Sequence, residues 1–171
     1  FALDLNDRQA TACAQHAAWI RDGLPPVRMA INLSPRQFAH EGLIDDILAA
    51  LTDFGMKPEL LEFEITESMV MQDQRRAAKV LGAIKQMGVR IALAHFGAGY
   101  AMLARIKRYP IDTIKVDRSF IGGLEGNIED RTITEAIIAM GKALSLTVIA
   151  EGVETEMQQA FLSEHACDAI Q

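Results

Sequence analysis

Apolar and polar residues alternate in five short stretches of the chain. In Leu61-Glu-Phe-Glu-Ile65 the large apolar residues fall on one face and the glutamates on the other. Thr113-Ile-Lys-Val-Asp117 repeats the split. Val27, Met29 and Ile31 oppose Ala30 and Asn32, and Ile91 and Leu93 oppose Ala92 and Ala94. Thr147-Val-Ile-Ala-Glu151 ends on a carboxylate. These patterns predict strands over 27–32, 61–65, 89–93, 113–116 and 147–150, with a sixth beginning at 168–171. Helical spacing fills the intervals. A helix over 10–20 is stopped by Gly23 and Pro25-Pro26, and one over 44–54 ends at Gly55. Ser34-Pro35 reads as an N-cap followed by a first helical proline. A helix over 73–87 places Val80, Leu81, Ile84 and Met87 on one side and closes at Gly88. Further helices are expected over 101–109, 133–144 and 155–163.

Strand and helix thus alternate strictly, which implies a parallel sheet with helical crossovers. A closed eight-strand barrel and an open doubly wound sheet both fit that order. The polar positions favour the barrel. Each strand directs bulky residues toward covering helices and small or polar ones inward. The inward polar groups collect at the C-terminal strand ends, where βα-barrels build their sites. A doubly wound sheet would concentrate them at one switch point. The fold class expected is therefore α/β, a (β/α)8 TIM-type barrel. Such a barrel needs about 250 residues, and the chain has 171. With about six βα units, it is expected to be a single incomplete domain over residues 1–171, lacking its first strands and the end of its last.

Half of the residues are apolar, yet no apolar run approaches the roughly 18 residues of a membrane span. Asp4, Asp7, Arg8 and Gln9 near the start do not fit a signal peptide. A net charge of −6 with scattered cations argues against a nucleic-acid groove. The longest basic cluster, Arg105-Ile-Lys107-Arg108, reads as a solvated helix end. Cys13 and Cys167 have no CxxC spacing and read as reduced, packed thiols of a cytoplasmic protein.

Asn32, Glu64, Glu67, Lys115, Asp117, Glu151 and Gln171 make a polar ring in this fold. Carboxylates and amide oxygens suit magnesium or manganese. Two such ions can clamp a phosphodiester and generate hydroxide. Taken singly, each residue has a plainer reading as turn former, cap or rim charge. Five motifs carry a family resemblance across nearly the whole chain. Asn32-Leu-Ser-Pro-Arg-Gln37 is similar to "NLSxxQ", and Leu61-Glu-Phe-Glu-Ile-Thr-Glu-Ser68 to "LELEITES". Ile111-Asp-Thr-Ile-Lys-Val-Asp-Arg-Ser-Phe120 resembles "xDxxKIDxSF". Val148-Ile-Ala-Glu-Gly-Val-Glu-Thr155 matches "VIAEGVET", and Cys167-Asp-Ala-Ile-Gln171 resembles the opening of "CDxxQGY". A sixth segment, Ala94-His-Phe-Gly-Ala-Gly-Tyr100, resembles "DDFGTGY" with both leading aspartates replaced.

These segments resemble the motifs of the EAL domains, barrels that linearise cyclic di-GMP with two divalent cations. The resemblance implies metal ligation by Asn32 and Glu64. It implies action of Lys115 on the nucleophilic water, and completion of the metal and water shell by Asp117 and Glu151. Gln171 would line the substrate pocket. Glu67 would brace the loop after residue 95, which supports dimerisation. The departures are Ala94 and His95 at the lost metal positions and Ala98 in place of a loop threonine. Ala94 can ligate nothing. His95 can in principle hold a softer cation, though its plainer reading is a hydrogen-bonded residue at a strand–loop junction. The name-giving glutamate and the phosphate-gripping arginine after it have no counterpart here. The expectation is a degenerate EAL domain in bacterial cyclic di-GMP signalling. It would be a catalytically inactive receptor or interaction module requiring no cofactor. One alternative is an active phosphodiesterase with a modified Mg2+ or Mn2+ site. Another is an interaction domain without nucleotide binding. Expected partners are cyclic di-GMP, a second copy in a homodimer, and adjoining GGDEF or sensory domains or other signalling proteins.

Overall fold

The computed structural model describes residues 5–97 and 106–171, with side chains from Ala10 onward. Six strands form one parallel sheet: β1 (Met29–Asn32), β2 (Leu61–Thr66), β3 (Arg90–Phe96), β4 (Thr113–Val116), β5 (Thr147–Ala150) and β6 (Ala169–Ile170). Their order across the sheet is their order in sequence. A doubly wound sheet reverses its order at a switch point; this one never does. Parallel crossovers are almost always right-handed, so unbroken winding puts all helices on one face and leaves the other as a barrel interior. The sheet is an arc of a TIM-type barrel, open among the described residues.

The connections other than that from β3 to β4 are helical. α1 (Leu5–Arg21) precedes β1, and α2 (Pro35–Phe38) and α3 (Leu43–Phe54) link β1 to β2. α4 (Glu67–Gln72) and α5 (Gln74–Gln86) link β2 to β3. α6 (Arg118–Gly122) and α7 (Ile128–Ala143) link β4 to β5, and α8 (Glu156–Glu164) leads to β6. The caps follow from sequence. Ser34 with Gln37, and Thr155 with Gln158, form reciprocal capping boxes. Asp73 accepts from the Arg76 amide to start α5. Gly55, at φ 60°, takes the left-handed position that ends α3.

The core lies between sheet and helices. Leu61, Phe63 and Ile65 of β2, Ile91 and Leu93 of β3, and Ile114 and Val116 of β4 are fully buried. Ala77, Leu81 and Ile84 of α5 recur at helical spacing and are also fully buried, on a helix that packs against β3. Truncating a ring such as Phe63 to alanine costs about 3–5 kcal/mol. Gly141 lets α7 approach the sheet closely: a Cβ there would stand 2.3 Å from Val148 Cγ2 and 3.0 Å from Ile114 Cδ1.

Some elements differ from the sequence expectation. β3 continues to Phe96, three residues past the predicted end. α7 starts at Ile128, where Asn127 caps it by accepting from the Glu129 amide. The expected start was residue 133. α4 and α6 are too short for periodicity to show. The helix expected over 101–109 lies mostly outside the described residues; its described part is a single 3-10 turn, Ile106–Arg108. Ala98 and Arg105 also lie outside them. Among the described residues, no helix is long and apolar enough to cross a membrane.

Candidate functional site

The C-terminal ends of the strands bring together four of the predicted residues. Lys115 on β4 reaches across the inner face, with Nζ 2.7 Å from Glu64 Oε1 on β2. The same ammonium lies 3.1 Å from Glu151 Oε1, just after β5, and donates to Gln171 Oε1 at 2.9 Å, just after β6. The strand register makes this possible. Glu64 is the partner of Ala92, and Lys115 the partner of Ile149, which in turn pairs with Ala169. The Gln171 amide is fixed by Ala150 O at 2.8 Å, and Gln171 O accepts from Gly152 N at 2.8 Å. Lys115 is buried, and Glu64 nearly so. Burial alone would lower the Lys115 pKa, but hydrogen bonds to Glu64 and Glu151 and their charges outweigh it and hold the ammonium above the usual lysine range.

A second group forms beside it. His95 follows Ala94 with φ 55°, a left-handed conformation uncommon outside glycine. The register of β3 against β4 shifts between Leu93 and Phe96, as a bulge does. The bulge directs the largely exposed His95 ring to Asp117, with Nδ1 2.8 Å from Oδ2. The other Asp117 oxygen accepts from the Ser119 amide at 2.9 Å and its hydroxyl at 2.7 Å, capping α6. Burial pushes the Asp117 carboxyl up, but the Ser119 donors and His95 prevail and hold it below the usual aspartate range. Ala94 is buried and pairs with Thr66 of β2. Glu67 opens α4 and its Oε1 accepts from the Gly97 amide at 3.2 Å. Burial raises its pKa more than that hydrogen bond lowers it. Asn32 pairs with Glu64 in the register but is exposed, with no side-chain partner among the described residues.

One buried group lies below this layer and was not singled out from sequence. Glu62, two residues before Glu64 on the same face, accepts from Thr113 Oγ1 at 2.9 Å and from Arg90 Nε at 3.3 Å. The alternation that marked Glu64 marks Glu62 equally. Ser119 was also missed, since only its place two residues after Asp117 hints at a cap.

Much of the donor set that two divalent ions would need is engaged within the protein. Oxygens of Glu64, Glu151 and Gln171 are engaged by Lys115, both Asp117 oxygens are engaged, and Ala94 offers none. Among the described residues, no three His, Cys, Asp or Glu side chains converge as a metal site. The arrangement is a polar floor with a fixed internal cation. Two carboxylates there, Glu64 and Glu151, face one ammonium.

Comparison with known proteins places the fold. The chain is 41% identical over 160 residues to the bifunctional diguanylate cyclase/cyclic di-GMP phosphodiesterase MucR of Pseudomonas aeruginosa, covering 94% of this chain and 23% of that protein. It spans about a quarter or less of such curated relatives. A structure described as the PaMucR phosphodiesterase in complex with c-di-GMP superposes with a TM-score of 0.90 at 40% identity, over 95% of this chain and 66% of that one. The EAL domain of Mycobacterium smegmatis DcpA superposes at 0.87 with 37% identity, over 94% and 73%. The family described as "EAL domain" matches residues 7–171. An unbroken parallel winding, polar groups gathered at the strand ends and a family match over nearly its full length together establish that this chain belongs to the EAL domain family.

Proposed function

We propose that this chain is a degenerate EAL domain in cyclic di-GMP signalling that does not hydrolyse the nucleotide and acts as a receptor or interaction module. One observation carries the reading. Ala94 stands where the family motif has a carboxylate, while His95 is turned onto Asp117 and Lys115 engages Glu64 and Glu151. Two-metal hydrolysis needs carboxylates that bridge ions about 3.5–4 Å apart, and these carboxylates are held by protein side chains instead. Asn32 and Glu64 are then vestigial metal positions, Lys115 and Glu151 vestigial catalytic ones. Asp117 and Gln171 face the nucleotide, and Glu67 holds the loop at Gly97. The net negative floor repels phosphate, so nucleotide binding draws on basic groups elsewhere in the whole protein. A homodimer and an adjoining GGDEF or sensory domain fit the same reading.

The test uses the full-length protein with cyclic di-GMP. The expected result is micromolar or tighter binding by titration calorimetry, with no turnover in Mg2+ or Mn2+. Ordinary phosphodiesterase rates would defeat the reading, and absence of binding would reduce it to an interaction domain. A second reading, an active enzyme with a modified metal site, takes His95 as a replacement ligand beside Asp117. It predicts that His95→Ala abolishes turnover.

A further inference from the structure

The helix-covered side of the sheet holds a cleft that the barrel pocket does not account for. α3 and α5 follow consecutive strands yet touch sparsely. Between them lies a cleft of about 320 Å³. Its floor is apolar: Leu43 and Ile44 from α3, Val80 and Ala83 from α5. Leu48, one turn beyond Ile44 and 53% exposed, extends that surface.

The charges on one wall are one-sided. α5 carries Arg75, Arg76, Lys79 and Lys85 and no carboxylate, in a chain of net charge −6. Arg75 and Arg76 sit in its first turn, where the helix dipole disfavours cations. Arg76 donates to Ala39 O at the end of α2, and Lys85 pairs with Asp112. Arg75 and Lys79 are exposed and have no ion-pair or hydrogen-bond partner among the described residues. On the opposite side Glu41 lines the cleft, and Asp45 and Asp46, the latter 3.8 Å from His40, lie in the first turn of α3. Lys79 lines the cleft, and Arg75 lies one turn before it on the same helix.

We propose that the cleft between α3 and α5 docks an acidic, apolar-anchored segment of a partner protein. Its aliphatic side chains enter between Ile44 and Val80, and its carboxylates face Arg75 and Lys79. Charge complementarity selects this occupant, because the apolar floor offers burial and the free cations offer oriented pairing. The site is concave, with its apolar groups at the base, which suits a peptide better than a membrane plane. The proposal does not rest on whether the barrel pocket binds or cleaves a nucleotide.

The probe is a fluorescein-labelled amphipathic peptide with leucines at helical spacing and glutamates between them, titrated against the full-length protein. Saturable anisotropy with a Kd of about 10–100 μM is expected. The Arg75→Glu/Lys79→Glu variant should weaken it by about tenfold or more. Leu48→Ser should weaken it without changing its salt dependence. Lys57→Glu, an exposed charge reversal outside the cleft, should leave it unchanged, and cyclic di-GMP titrations should be the same for all four proteins. No saturation at about 1 mM peptide, or equal binding to the charge-reversed variant, would overturn the proposal. So would binding of phosphatidylcholine–phosphatidylglycerol vesicles, or self-association, that depends on Arg75 and Lys79 while the peptide does not bind.

Discussion

Removing the ammonium of Lys115 leaves Glu64 and Glu151 without their counter-charge in a site where Glu64 is nearly excluded from water. Breaking a buried pair from one side costs about 3–5 kcal/mol, so Lys115→Met should lower unfolding free energy by that order in urea titrations. Adding Glu64→Gln should restore much of the loss; no recovery would place the effect in packing rather than charge. The pH dependence has a definite sign. Lys115 is held above its unfolded value, so its contribution is complete below about pH 10.4 and is lost as pH rises through the folded value. Asp117 is held below its own, so its contribution is present above about pH 3.9 and is lost as pH falls further. Glu67 runs the other way for a carboxylate: with its folded pKa raised, it destabilises as it ionises. Glu67→Gln keeps an oxygen for the Gly97 amide and should be neutral or stabilising at pH 7, whereas Glu67→Ala should destabilise. Thermal unfolding of both variants checks the pair. At this scale, alternation was enough to gather Glu64 and Lys115 on one face. It could not foresee His95, because a bulge with positive φ breaks the alternation there.

The elements place these residues only as well as helices and strands pack. Gly141 marks a close helix–strand contact outside the site. Gly141→Ala drives a methyl into Val148 and Ile114, and overpacking of this kind costs about 1–3 kcal/mol. The variant should unfold at lower denaturant with an unchanged slope; wild-type stability would mean that α7 can shift outward freely. Long, periodic elements such as α3 and α5 were legible from sequence because a buried stripe and a cap agreed. The start of α7 was not. Ile128 is 81% exposed, so its apolar character marks no core face, and the helix is begun by the Asn127 cap instead. α4 and α6 hold too few residues to complete a stripe, though Glu67 and Asp117 at their starts are among the residues that matter most.

For the whole molecule, strand order decides the architecture, and that order was not readable from element alternation alone. Both a barrel and a doubly wound sheet alternate strand and helix; inward polar groups on every strand, rather than at one crevice, pointed to the barrel. Winding without reversal then places Asn32, Glu64, Ala94, Lys115, Asp117, Glu151 and Gln171 at one end of the sheet. The proposed loss of hydrolysis rests on the two positions of segment 94–95. The most direct measurement is turnover of cyclic di-GMP in Mg2+ or Mn2+ by the full-length protein and by its Ala94→Asp/His95→Asp variant. The account predicts no turnover by the natural sequence and measurable turnover once both carboxylates return. Turnover by the natural sequence at the rate of the restored variant would contradict it.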